Sequence, residues 1–100
     1  AVMGGKIYVT GGETGDDEAV NSVYVYDPQT DAWAQLANMG TARQFHASAA
    51  VGGKLYVFGG QGGEDDDYLS TAEVYDPASD SWAQGSSLTS ARRAFGLVAL

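Results

Sequence analysis

One hundred residues, 44% of them hydrophobic and 11% aromatic, make one ordinary domain's worth of chain with enough apolar side chains for a packed core. Thirteen acidic against five basic residues give a formal charge of -8, which opposes binding to nucleic-acid phosphates or to an anionic lipid surface. With no cysteine the chain can form neither a disulfide framework nor a thiolate metal site, and no apolar run is long enough to span a bilayer.

Taken in order, residues 6–10 are a β-rich run closing on Gly11-Gly12, where a glycine pair lets the backbone leave the strand with torsions other residues resist. This run reads as the second strand of a four-stranded unit. Residues 13–18 are acidic and glycine-bearing, hence a surface loop. Residues 21–27 alternate, with Val23 and Val25 on one face and Tyr24 and Tyr26 on the other, and read as the third strand. Asp27-Pro28-Gln29-Thr30-Asp31 is a turn, since proline presets one torsion and the aspartates can bond nearby amides. Residues 32–36 follow as a short outer strand carrying Trp33, residues 37–41 cross back, and residues 44–51 form a small-residue strand suited to an innermost position. The order then repeats: strand 54–58, loop 61–70, strand 71–76, turn, strand 81–83, crossing, and strand 93–100.

The repetition is literal. Lys54-Leu55-Tyr56-Val57-Phe58-Gly59-Gly60 restates Lys6-Ile7-Tyr8-Val9-Thr10-Gly11-Gly12 at an offset of 48 residues, which becomes 49 after the acidic loop. Val25-Tyr26-Asp27-Pro28 meets Val74-Tyr75-Asp76-Pro77, Trp33 meets Trp82, and Thr41-Ala42-Arg43 meets Ser90-Ala91-Arg92. A period near 50 belongs to propeller repeats. A β-rich run ending in a double glycine, then Tyr-Asp-Pro, then a tryptophan resembles the kelch repeat, twice over essentially the whole chain. The resemblance implies an all-β, kelch-type β-propeller with two four-stranded blades per chain, covering residues 1–100 as one unit. Repeat 1 takes about residues 4–51 and repeat 2 about residues 52–100. As to activity, kelch propellers serve as peptide-binding adaptors, lectin-like modules and occasional enzyme scaffolds, so the fold does not fix the function. The two copies agree at structural positions and differ at surface ones, a pattern that natural drift and deliberate redesign share.

By strand role, the opening blade lacks an innermost strand and the chain ends with one that has no blade, while Ala1-Val2-Met3 duplicates the last three residues. Two blades leave two apolar sheet faces uncovered, and propellers close with about four to eight blades. At roughly 800 Å² per partner and about 25 cal/mol/Å², each bare face forfeits on the order of 20 kcal/mol, against an association cost of about 4–15 kcal/mol. The expected state is therefore a homo-oligomer. A six-bladed trimer is favoured over a dimer or tetramer, with residues 93–100 of one protomer inserted as the inner strand of its neighbour's first blade.

The candidate chemistry is sparse. Eight of the thirteen acidic residues sit in the two loops after the double glycines. Asp16, Asp17, Glu64, Asp65 and Asp66 are candidates for a hard cation such as Ca²⁺, although neither loop has EF-hand spacing and a solvated, solubilising loop accounts for them as well. Arg43 and Arg92 hold matching places before the inner strands, with Arg93 beside the second. The resemblance puts these near the central channel, where arginine can grip a carboxylate, while the alternative is that each arginine rigidifies the crossing. His46, matched by Phe95, is the remaining ligand-binding candidate; no Ser-His-Asp grouping recurs, and no catalytic residue or cofactor is implied. Gly11, Gly12, Tyr26, Trp33, Gly59, Gly60, Tyr75 and Trp82 are the structural landmarks, with both tryptophans expected in blade-to-blade packing. Tyr68 is the aromatic expected at the surface. The expected function is a non-enzymatic, self-assembling binding scaffold. The alternatives are an excerpt of a larger propeller, or a sugar- or carboxylate-binding, lectin-like or enzymatic site at the channel. A protein or a small carboxylate or sugar fits as partner, and the chain reads as soluble with no targeting signal, its compartment left open.

Overall fold

Each copy of the repeat folds into its own four-stranded antiparallel sheet, and the two sheets stack face to face in a computed structural model that describes residues 1–15, 18–63 and 67–86. The first sheet runs from β1 (Val2–Met3) through β2 (Lys6–Thr10) and β3 (Val23–Asp27) to β4 (Ala32–Leu36). The second runs from β6 (Ala47–Val51) through β7 (Lys54–Phe58) and β10 (Ala72–Asp76) to β11 (Ser81–Gln84). A third, small sheet joins β5 (Arg43–Gln44), β8 (Gln61–Gly62) and β9 (Asp67–Tyr68) between them. Every pairing is antiparallel, as expected when consecutive strands are joined by tight turns.

The turn chemistry explains the outer hairpins. Asp27 and Asp76 each accept a bond from the backbone two residues on, Gln29 N–H and Ala78 N–H, both at 3.0 Å. The hairpins close at Asp31 (φ 53°) and Asp80 (φ 48°), left-handed positions that aspartate tolerates better than most side chains. The tyrosine before each Asp-Pro then donates its hydroxyl to that closing aspartate, Tyr26 to Asp31 at 2.5 Å and Tyr75 to Asp80 at 2.7 Å. Both tyrosine hydroxyls are thus satisfied at the turns that their own repeats close.

Strand alternation decides what is buried. On the first sheet the cross-strand rows Val2–Ile7–Tyr26–Trp33 and Val9–Tyr24–Gln35 share one face, while Tyr8, Thr10, Val23, Val25, Ala34 and Leu36 share the other. The second face meets the second sheet: Val23, Met39 and Val57 form the core, with Leu36 and Trp82 packed against it, and the Tyr8 and Tyr75 rings lie 6.4 Å apart. The residues that the second sheet contributes, Leu55, Val57, Glu73, Tyr75 and Trp82, are the repeat equivalents of the first sheet's outward face.

Four expectations need correction. The opening blade does have an innermost strand, a short one: Val2 pairs with Ile7, Met3 with Lys6, and Ala1 exchanges backbone bonds with Tyr8. The innermost strand expected over residues 44–51 is broken in two at Phe45, whose φ of 54° takes it out of extended backbone. The loop over residues 61–70 holds two short strands, β8 and β9. Finally, Trp33 does not pack as Trp82 does but stands 60% exposed, because among the described residues no sheet lies against the face it occupies. Tyr68 is exposed, as expected, but it is not alone, since Tyr24, Trp33 and Phe45 are exposed as well. The strand expected over residues 93–100 lies outside the described residues.

Candidate functional site

The crossing between the two sheets, residues 39–46, threads between the two double glycines, and the backbone geometry of those glycines is what lets it through. Gly12 N–H donates to the Arg43 carbonyl at 2.7 Å, and Arg43 N–H donates to the Val20 carbonyl at 3.0 Å. A Cβ on Gly60, whose φ is 95°, would sit 2.6 Å from the Gln44 carbonyl oxygen and 2.8 Å from the His46 Cβ. A Cβ on Gly11 would run into the Arg43 carbonyl oxygen and the His46 ring. Glycine is required at both places for close approach as well as for torsion.

Arg43 anchors this crossing and is completely buried. Its guanidinium donates from Nη1 to the carbonyls of Gly59 and Thr71 (2.9 Å each) and from Nη2 to Thr71 Oγ1 (3.0 Å) and Glu73 Oε2 (3.1 Å), while Nε donates to Glu73 Oε2 (3.3 Å). All five N–H donors are engaged, so none remains for an incoming carboxylate. Glu73 completes the arrangement by accepting Gly40 N–H (2.5 Å) and Thr41 N–H (3.2 Å). The ion pair is buried on both sides. As a consequence, Arg43 and Glu73 lock the crossing to the second sheet, and Arg43 has the geometry of a fastener instead of a ligand grip.

The residues after Arg43 are less satisfied. Gln44 is buried, and among the described residues neither its Oε1 nor the His46 Nδ1 meets a bonding partner. Between them Phe45 stands exposed with its left-handed φ of 54°, a costly conformation for an aromatic residue. His46 Nε2 is bonded to Thr10 Oγ1 on the first sheet at 2.7 Å. Burial, helped by the nearby Arg43 guanidinium and to a smaller degree by the N-terminal charge, pushes the His46 pKa down to about 4 against the opposing effect of the Thr10 bond. The imidazole is therefore neutral at pH 7.

A second set of polar contacts fastens the outer edges. Ala37 N–H donates to Asp80 Oδ1 at 3.1 Å, and the Trp82 indole N–H donates to the Ala37 carbonyl at 2.8 Å. The Tyr75 hydroxyl and the Ala37 amide together hold the Asp80 carboxyl below the usual carboxylate range, while burial and then Asp80 raise the Tyr75 phenol.

Of the candidates from sequence, the structure brings Arg43 and His46 to one crossing. Arg92, Arg93, Asp16, Asp17, Glu64, Asp65 and Asp66 lie outside the described residues. Among the described residues, no group of three or more His, Asp or Glu could hold a metal ion. Sequence reasoning passed over Glu73, Gln44, Phe45 and Thr10. For Glu73 a signal existed: the repeats place Tyr24 against it, a carboxylate among otherwise apolar alternating positions.

The family model described as the KLHDC2/KLHL20/DRC7 Kelch-repeats domain matches residues 1–99. Human Kelch-like protein 23 is 38% identical over 52 residues, 51% of this chain and 9% of that protein. The mouse protein named Influenza virus NS1A-binding protein homolog is 42% identical over 67 residues, 67% of this chain and 10% of that one. This chain thus spans a tenth or less of the length of these curated relatives. The solved structure titled "Structure of YjhT" overlays 89% of this chain and 37% of its own with a TM-score of 0.75 at 20% identity, a likeness of fold.

Proposed function

Since the chain belongs to the kelch-repeat family, we propose that it is a two-blade stretch of propeller that works as a non-enzymatic binding scaffold, presenting the crossing over residues 44–46 to a protein partner. The observation that carries this reading is the exposed Phe45, held at a left-handed φ between Gln44 Oε1 and His46 Nδ1, two buried polar atoms that meet no partner among the described residues. Buried polar groups are normally bonded, and departures call for a partner. The fitting ligand is a peptide segment that lays an apolar side chain on Phe45. The overall charge of -8 favours a basic or neutral segment over an acidic one. Chemistry on a substrate is disfavoured: the Thr10 hydroxyl, not a carboxylate, holds His46 Nε2, and a pKa lowered to about 4 leaves the ring a weak base at pH 7.

The remaining blades come from further copies of the chain, six blades as a trimer, or from the rest of a longer polypeptide, which the length of the relatives supports. Exchange of residues 93–100 into a neighbour's first blade would have to displace Ala1–Met3, which already pair with β2 at that position. Selection from a displayed library of random peptides tests the scaffold reading. Enriched peptides should lose binding to Phe45→Ala while Asp67→Asn binds as before; failure to enrich any sequence, or binding indifferent to Phe45→Ala, would remove the crossing as the site.

A further inference from the structure

The break between β5 and β6 lies between two fixed points. Arg43, before it, is bonded through its side chain to Gly59, Thr71 and Glu73 and through its backbone to Gly12 and Val20. Ala47, after it, pairs with Phe58 on β7. In the segment between, His46 Nε2 shares a hydrogen bond with Thr10 Oγ1 at 2.7 Å, which ties the break to the first sheet. The ring occupies a slot that two glycines leave open. A Cβ on Gly11 would come 2.9 Å from its Cε1, and one on Gly60 would come 2.8 Å from the His46 Cβ. The φ of 54° at Phe45 accompanies this entry, with the imidazole in and the phenyl 46% exposed. Extended backbone at Phe45 would instead run β5 on into β6.

The slot suits a neutral imidazole and not a charged one. A neutral ring carries one proton, and a second would put an N–H on both nitrogens. Nδ1 is buried and meets no acceptor among the described residues. Nor do the groups around the ring supply a counter-charge. β2 and its end present the Thr10 hydroxyl and Gly11, the end of β7 presents Gly60, and the crossing itself brings Met39 and Arg43. The charges that act on the ring are both positive, the Arg43 guanidinium and, more weakly, the N-terminal ammonium of Ala1. Glu73 on β10 has its carboxylate bonded to Arg43 and to the amides of Gly40 and Thr41. Outside the slot, water offers an imidazolium both acceptors and a high dielectric. Charge on the ring therefore favours its leaving, and the same movement relieves the torsion at Phe45.

We propose that His46 is a proton-operated latch on the surface at Phe45: the neutral ring holds the crossing kinked with Phe45 outward, and protonation releases residues 44–46 from the first sheet while Arg43 stays locked. This inference rests on the reading of the crossing as a binding surface, and it adds how acid takes that surface apart. The released ring takes up its proton near the ordinary 6.5 and the held ring near 4, so the held state is fully favoured above pH 6.5 and loses ground below it. By this linkage the released-to-held ratio rises about twentyfold between pH 7 and pH 5. The second copy has Phe95 at the matching place, a residue that takes up no proton.

The test is amide hydrogen exchange read residue by residue by nuclear magnetic resonance at pH 7 and pH 5, corrected for the intrinsic pH dependence of exchange. Protection over residues 44–46 should fall about twentyfold, while the β2–β3 and β7–β10 ladders change less than about twofold. His46→Phe, which copies Phe95, and His46→Gln should each reduce the local fall to less than about threefold. If His46→Phe, crowded by Gly11 and Gly60, does not fold, His46→Gln decides. Unchanged protection over residues 44–46 would overturn the latch. So would a loss shared equally by both ladders, since that is global unfolding, or a local fall that persists in the folded variant. The readout needs no ligand, which keeps the two readings apart. A local fall without peptides that depend on Phe45 leaves the latch and removes the binding surface; such peptides without a local fall leave the surface and remove the latch.

Discussion

Replacing Glu73 with alanine probes whether the buried ion pair holds the two sheets in register. The Glu73 carboxylate accepts four N–H groups, two from the Arg43 side chain and two from the backbone of Gly40 and Thr41. Gly40 is exposed and Thr41 half-buried, so water can replace their lost acceptor at small cost. Arg43 has no such recourse: at 0% exposure its charge would remain buried with three neutral oxygens for company. Removing one partner of a buried pair costs about 3–5 kcal/mol. Against a total of about 5–15 kcal/mol for a domain of this size, that is a large fraction. Urea unfolding at pH 7, followed by tryptophan fluorescence and far-ultraviolet dichroism, measures the loss. Glu73→Gln, which keeps an acceptor oxygen, should lose less, and Arg43→Met with Glu73→Leu should recover most of the loss because no charge is left stranded. A loss below about 1 kcal/mol for Glu73→Ala at an unchanged denaturant slope would refute the argument, since that is the size of one ordinary hydrogen bond.

Three further outcomes follow from the same geometry. His46 has a folded pKa of about 4, lower than its unfolded value near 6.5, so the unfolded chain binds the extra proton in that window. Stability should be level above pH 6.5 and fall by about 2–3 kcal/mol as pH drops to 4; His46→Phe, copying Phe95, should flatten the difference between pH 6.5 and 4 beyond what the carboxylates contribute. Trp82→Phe should cost about 1–2 kcal/mol through the lost bond to the Ala37 carbonyl, whereas the exposed Trp33→Phe should stay within about 0.5 kcal/mol of wild type in the same urea titration. Gly52→Ala, with nothing within 4 Å of the added Cβ, should lose about 1 kcal/mol for its left-handed torsion. By thermal melting, Gly60→Ala should lose about 1–3 kcal/mol more, because the Gln44 carbonyl and His46 must move; equal costs would mean the crossing is not held where it is described.

How much of this was legible in the sequence depends on whether the information is local. Strand positions, the aspartate-closed turns and the tyrosine hydroxyls follow from alternation and from side chains that reach a few residues along the chain, and these were readable. The roles of matched residues were not, because repeat symmetry predicts the same environment for residues that the stacked sheets treat differently. Trp33 and Trp82 occupy the same place after the same turn, yet Trp82 is partly covered and Trp33 bare, since among the described residues only one of the two equivalent faces meets a sheet. Arg43 illustrates the other limit. Its five bonds come from residues 16 to 30 positions away, on β10 and at the two ends of the segment between β7 and β10, contacts that no spacing announces. What the sequence does hold is the departure from symmetry. Where Tyr24 stands for Glu73 and Gly85 for Leu36, the two repeats stop being interchangeable, and Glu73 and Leu36 both lie at the contact between the two sheets. Comparing repeats for their differences, position by position on each face, therefore finds the interface chemistry that comparing them for their likeness conceals.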